Sequence, residues 1–171
     1  MKKFYPFLAL FLSLSTPALA ATGSAVIKGT KPDSPISGKA DLTETPEGLK
    51  ILVKLKNVPP GKHGFHIHEK GSCAEEGNAA GGHYNPEETP HGDLFKDGFQ
   101  HAHAGDFGNL EPEADGTLSV VTVVKGLTLT GDKHNVANRA FILHEKEDTF
   151  AQPTGNAGGR IACGVIEIVE N

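Results

Sequence analysis

Leu49-Lys50-Ile51-Leu52-Val53-Lys54-Leu55-Lys56 is the most cleanly alternating stretch of the chain. Leu49, Ile51, Val53 and Leu55 fall on one face, and Lys50, Lys54 and Lys56 fall on the other. A period of two is that of a half-buried β-strand, whose successive side chains point to opposite faces. Pro59-Pro60-Gly61 ends the run, and Gly64-Phe65-His66-Ile67-His68 starts another. There Phe65 and Ile67 share the face expected to meet a core, while His66 and His68 share the opposite one. Two imidazoles about 6–7 Å apart on one strand face can grip a single metal ion.

The same reading extends outward. Ala25-Val26-Ile27 and Ile36 to Thr43 read as strands around a turn at Lys31-Pro32-Asp33. Gly116 to Val124, Leu127 to Leu129, Ala140 to His144 and Arg160 to Val169 read as further strands. From Glu69 to Pro112, and again from Glu145 to Gly159, the alternation vanishes and Gly, Pro, Asn, Asp or Glu take over. No stretch has the period and length of an ordinary amphipathic helix. The pattern predicts an all-β chain, an eight-stranded antiparallel Greek-key β-sandwich or flattened barrel with two long functional loops.

The first loop is too long and too polar to pack itself, so something else must order it. It holds a cysteine and most of the remaining histidines. The chain has nine histidines, seven of them between His63 and His103, which is hard to explain as solvated surface. Metal binding and a disulfide can order such a segment. Cys73 and Cys163 are the only cysteines. With no Cys-x-x-Cys spacing they read as one disulfide, closing a loop of about 90 residues worth about 4–5 kcal/mol; metal ligation is the alternative.

That pairing needs an oxidising compartment. Lys2-Lys3, the apolar run Phe4 to Leu14 and Pro17-Ala18-Leu19-Ala20 read as a signal peptide, residues 1–20, leaving 21–171 as one domain. The apolar run is too short to span a membrane, and no later stretch is longer. Export is expected, into a bacterial periplasm given the short basic region. The formal charge is −5, and loss of Lys2 and Lys3 makes it more negative. An acidic chain with no basic block argues against nucleic acid as a partner.

Five motifs, in order, now carry a resemblance. Gly64-Phe65-His66-Ile67-His68 and Gly155-Asn156-Ala157-Gly158-Gly159-Arg160-Ile161-Ala162-Cys163-Gly164 resemble the two signatures of the copper/zinc superoxide dismutases. Gly82-His83-Tyr84-Asn85-Pro86, His103-Ala104-Gly105-Asp106 and Leu143-His144-Glu145-Lys146 lie between them and are similar to family segments too. The resemblance covers essentially all of residues 21–171, and bacterial periplasmic members are the type it fits.

The resemblance implies copper held by His66, His68, His83 and His144, and zinc held by His83, His91, His103 and Asp106. His83 bridges the two ions as a deprotonated imidazole. The chemistry agrees, since four imidazoles suit Cu(II) and three imidazoles with a carboxylate suit a closed zinc site. Asp148 resembles the aspartate that links His66 to His91. Arg160 resembles the arginine that attracts a small anion to the copper. His63 resembles a structural histidine, not a ligand. His101 competes with His103, and the His-x-x-Asp spacing to Asp106 favours His103. His134, in the polar stretch Gly131-Asp132-Lys133-His134, is expected at the surface.

The implied activity is oxidoreductase chemistry on superoxide anion, giving dioxygen and hydrogen peroxide by alternate reduction and oxidation of copper. Arg160 and His83 act in it, with zinc as the structural ion. Lys62, Lys70 and Lys146 flank the ligand segments as candidates for steering the anion. Family members vary in the segment from His68 to His83, where dimerisation differs; a homodimer is one expectation. A non-catalytic copper-binding or copper-delivery module on the same fold is the alternative, although such relatives lose ligands or the arginine. A blue-copper electron carrier needs a Cys ligand and often Met at spacings absent here, Met1 being the only methionine.

Overall fold

The structure, a computed structural model, describes residues 20–170; the expected signal peptide lies, up to residue 19, outside the described residues. Its strands are β1 (Thr22–Gly29), β2 (Ser37–Thr45), β3 (Gly48–Lys56), β4 (His63–His68), β5 (Asp106–Leu110), β6 (Leu118–Val124), β7 (Ala140–His144), β8 (Arg160–Val165) and β9 (Glu167–Val169). They form one sheet in the order β5-β4-β7-β8-β1-β2-β3-β6, with β9 beside β1, and every strand pairing is antiparallel. The sheet curls into a nearly closed eight-stranded barrel. The chain leaps from β3 to β4 and back from β5 to β6, crossovers that make the winding a Greek key.

The alternation in β3 is obeyed. Leu49, Ile51, Val53 and Leu55 are buried, while Lys50, Lys54 and Lys56 are exposed. They meet Ile27 of β1, Leu42 of β2 and the rings of Phe65 and Phe141, which stack at 5.2 Å. Each such side chain removed from water contributes about 1.5–3 kcal/mol. β4 is buried along its whole length. Phe65 and Ile67 join the core, and His66 and His68 lie on the opposite face beneath the loops.

Several elements depart from expectation. Residues 69–112 contain a 3-10 turn at Asn78–Ala80, a four-residue helix α1 (Leu94–Asp97) and strand β5. Residues 127–129 form no strand; Thr128 makes only an isolated bridge to Asn135. The last strand is broken at Ile166, whose N–H bonds the Arg139 carbonyl rather than continuing the ladder. His134 is buried, not at the surface. Its turn folds back so that the imidazole stacks on Phe99 at 3.9 Å and bonds Glu87 at 2.9 Å, satisfying both its apolar face and its polar edge.

The Cys73–Cys163 disulfide is formed, tying the first loop to β8. No helix among the described residues is long and apolar enough to cross a membrane.

Candidate metal centre

Two donor sets stand on the outer face of β4. His66, His68, His83 and His144 offer nitrogen atoms within 4.8 Å of one another, and so do the donors of His83, His91, His103 and Asp106. All seven residues are buried, and His83 belongs to both sets. The first set is strand-borne. β4 places His66 and His68 two residues apart, with ring centroids 6.4 Å from each other, and the adjacent strand β7 ends at His144. His83 joins by bridging His68 in a short antiparallel contact. The second set is loop-borne apart from Asp106, the first residue of β5. His101 is exposed and belongs to neither set, and His63 turns both ring nitrogens to the carbonyls of His144 and Pro59.

Hydrogen bonds settle which nitrogen each ring presents. His68 Nδ1 donates to Gly81 O at 2.9 Å, and His144 Nδ1 donates to Gly158 O at 3.2 Å. Their Nε2 atoms then face each other at 3.3 Å as lone pairs. His66 Nε2 donates to Asp148 Oδ2 at 2.7 Å, which leaves a buried Nδ1 with no hydrogen-bond partner. Converging buried lone pairs without protons are what a cation requires.

The loop set differs by its carboxylate. Asp106 Oδ1 lies 2.8 Å from His83 Nδ1 and 3.1 Å from His103 Nδ1, and Oδ2 lies 2.8 Å from His91 Nδ1. Asp106 Oδ2 also accepts the N–H groups of Gly92 and His103. His91 Nε2 donates to Asp148, so Asp148 spans the two sets from His66 to His91. Yet His91 Nδ1 lacks an aligned bond to Asp106. An imidazole lone pair against a carboxylate is tolerable only with positive charge there, a proton or a metal ion.

Titration follows this division. Burial, then the charge of His83, lowers His68 to about 2; burial and His66 lower His144 to about 3. Burial also dominates at His83, lowered to about 4 despite its bond to Asp106. At His91 burial acts the same way, but Asp106 and Asp148 outweigh it and push the value up to about 9. Burial opposes ionisation of Asp106 and Asp148, but imidazole and backbone donors hold both below the ordinary carboxylate range.

Arg160, half-buried at the start of β8, donates from Nη1 to Gly77 O and from Nη2 to Gly81 O, at 2.5 and 2.6 Å. Its charge helps to lower both His68 and His144, so it acts on the strand set. Lys62, Lys70 and Lys146 are exposed, and Lys62 pairs with Glu147 at 3.3 Å.

Three supporting residues escaped the sequence reading. Asn109 clamps Asp148 by exchanging two bonds with its backbone, and Gln152 does the same for His91. At Gly155 φ is +78° and an added Cβ would overlap Asp148 Oδ1, so only glycine fits. No spacing rule marks Asn109 or Gln152, because each finds its partner through folding; Gly155 stood within a quoted motif without a role.

The comparisons with known proteins agree with this geometry. The model of a family described as copper/zinc superoxide dismutase matches residues 36–166. The chain belongs to the copper/zinc superoxide dismutase family. Membership makes it an oxidoreductase by class and implies copper and zinc, for which the two histidine groups offer donors. It is 41% identical over 144 residues to an extracellular copper/zinc superoxide dismutase of Drosophila melanogaster, covering 78% of this chain and 76% of that one. It is 36% identical over 155 residues to a superoxide dismutase of Legionella pneumophila, covering 90% and 91%. A crystal structure described as that of the clock protein EA4 superposes with a TM-score of 0.77 at 32% identity, covering 92% of this chain and all of that one.

Proposed function

We propose that the chain converts superoxide to dioxygen and hydrogen peroxide, with copper held by His66, His68, His83 and His144 and zinc by His83, His91, His103 and Asp106. The carrying observation is the pair of buried donor sets that share His83 while leaving unpartnered lone pairs. When bound, copper supplies a one-electron couple between Cu(II) and Cu(I), and zinc supplies a redox-inert positive charge.

The residues divide the remaining work. His83 has Nδ1 beside Asp106, which leaves Nε2 for the strand set. Its ring can therefore join both ions as an imidazolate and can hold or release a proton at Nε2. Asp148 fixes the orientation of His66 and His91 at once, a carboxylate role usual behind metal-bound imidazoles. Arg160 keeps its guanidinium aimed by the two loop carbonyls, and its remaining N–H groups bind a small anion. The protein is acidic, so capture of superoxide rests on such local positive charge, with Lys70 and Lys146 as outer candidates.

The loaded protein should contain one copper and one zinc and should consume superoxide. Arg160→Glu should slow turnover strongly and leave both metals bound; an unchanged rate would remove Arg160 from the reaction. Copper-loaded protein that ignores superoxide would point instead to a copper-binding or delivery module.

Residues 1–20 as a signal peptide, with the bacterial periplasm as destination, form part of this reading; the formed disulfide and the extracellular relatives support export. A homodimer is supported by a groove of about 590 Å³ in which Phe95 and Val121 are half exposed. Its rim carries Lys62, Lys96, Asp93 and Glu147, both signs together, so the face can pair with a second copy of itself. Light scattering of wild type against Val121→Lys should show a dimer becoming a monomer.

A further inference from the structure

Each of the three segments that deliver the strand set continues to one side chain outside it. His68 is followed by Glu69, His83 is followed by Tyr84, and β7, which ends at His144, is preceded by Arg139. The Arg139 guanidinium carbon lies 3.5 Å from the centroid of the buried Tyr84 ring. Its Nη1 donates to Glu69 O at 2.7 Å, and its Nε donates to Asn135 O at 2.8 Å. The Arg139 carbonyl accepts Ile166 N at 2.8 Å, which fixes the residue to the barrel wall.

We infer that Arg139 is a positioning residue for copper, setting the distance between His68 and His83 and their placement against His144. The inference rests on the metal assignment above. Arg139 touches no ligand; it acts through their neighbours. Tyr84 N donates to Ile67 O and Tyr84 O accepts Gly105 N, so the ring the guanidinium covers is bound into the backbone on both sides. Glu69 N donates to Gly82 O, beside the bridge between His68 and His83. One cation therefore staples the residue after His68 to the residue after His83, and both to the strand that carries His144. The loop set is tied to Arg139 less directly, through the shared His83 and the Gly105 N–H on Tyr84 O, and its other donors His91, His103 and Asp106 are held by Asp148, Gln152 and backbone donors.

The chemistry demands arginine. A planar guanidinium can lie flat on a ring while its in-plane N–H groups reach two carbonyls, whereas an ammonium cannot do both. On Tyr84 the requirement is only for a ring face, so phenylalanine should serve equally.

The test is copper affinity by chelator competition, together with the Cu(II) electron paramagnetic resonance spectrum, on zinc-loaded protein with the disulfide verified by mass spectrometry. Arg139→Ala should weaken copper about 10-fold and alter the spectrum, in line with losses on removing groups that orient ligands. Zinc affinity should fall less than copper affinity, because of the loop set only His83 and the Gly105 N–H connect to the Arg139–Tyr84 contact. Arg139→Lys should behave like Arg139→Ala, Tyr84→Leu should alter copper in the same direction, and Tyr84→Phe should match wild type. If Arg139→Ala does not fold, Arg139→Lys and Tyr84→Leu decide. Wild-type copper affinity and spectrum in those variants would overturn the positioning role. Wild type that takes up no copper would overturn the metal assignment itself, and this inference with it.

Discussion

The strand-borne and loop-borne donor sets share His83 and lie side by side, yet opposite forces hold them. The strand set has no carboxylate, and burial lowers His68, His144 and His83 to about 2, 3 and 4. What holds it is covalent geometry and the β4–β7 ladder, with Nδ1 of His68 and His144 anchored to backbone carbonyls. The loop set has no ladder beneath His91 and His103. Asp106 and Asp148 gather it electrostatically and drive His91 up to about 9. The difference teaches that a sheet can hold mutually unfavourable neutral donors in place, whereas a loop needs an internal counter-charge to hold its donors together. Under the proposed assignment of copper to the strand set and zinc to the loop set, that division gives a rigid redox site and an ordered structural site.

His83→Ala attacks both sets at once and should have the largest effect. Superoxide consumption should fall at least about 100-fold, and metal analysis should show both ions disturbed. Normal copper and zinc content in this variant would break the idea of a shared ligand.

Cys163→Ser separates the sets through the scaffold. The disulfide spans 90 residues of chain, so its loss should cost about 4–5 kcal/mol in urea unfolding. Cys73 begins the segment whose Gly77 and Gly81 carbonyls aim Arg160 and His68. Copper binding and turnover should therefore suffer while zinc is retained. Loss of zinc alone would reverse the comparison.

Asp106→Asn removes the charge around which the loop set is gathered. It leaves His91 with less compensation, at a cost of about 3 kcal/mol. The variant should lose zinc and keep copper, as read by metal analysis after dialysis.

The smallest effect is a pH profile of the metal-free protein, followed by its urea midpoint. Unfolded histidines titrate near 6.5. As pH falls from 6.5 towards about 4, the unfolded chain takes up protons that folded His68, His83 and His144 refuse, so stability falls. His91 has the opposite sign: its contribution is full below 6.5 and is lost as pH rises through about 9. The strand set should thus govern the acid side and the loop set the alkaline side. Asp106→Asn should flatten the alkaline slope, while on the acid side His83, which Asp106 raises, should shift and His68 and His144 should not; an unchanged alkaline slope would show that His91 is not the group responsible.

Legibility followed the same boundary. β3 and β4 were readable because alternation reports directly on a face that must be buried. β5 was hidden in Asp106-Phe107-Gly108-Asn109-Leu110, where glycine and asparagine weaken strand propensity and pairing with β4 supplies the order. Leu127-Thr128-Leu129 looked like a strand because its leucines are core residues, but among the described residues its ladder pairing stops at one isolated bridge from Thr128 to Asn135. His134 sat in a polar turn, and only folding brought Phe99 and Glu87 against it.

By itself the sequence determined the inventory: which side chains can bind metal, which face of β4 carries His66 and His68, and which segments cannot pack themselves. Those properties depend on residue type and on a period of two, both local. Tertiary structure decided which nitrogen each imidazole presents, that Asn109 and Gln152 clamp Asp148 and His91 from behind, and that Arg139 lies on Tyr84. Each of these depends on a hydrogen bond or stacked contact between residues distant along the chain. Such partners meet only when the barrel curls and the loops fold down over it, and no local pattern records the meeting.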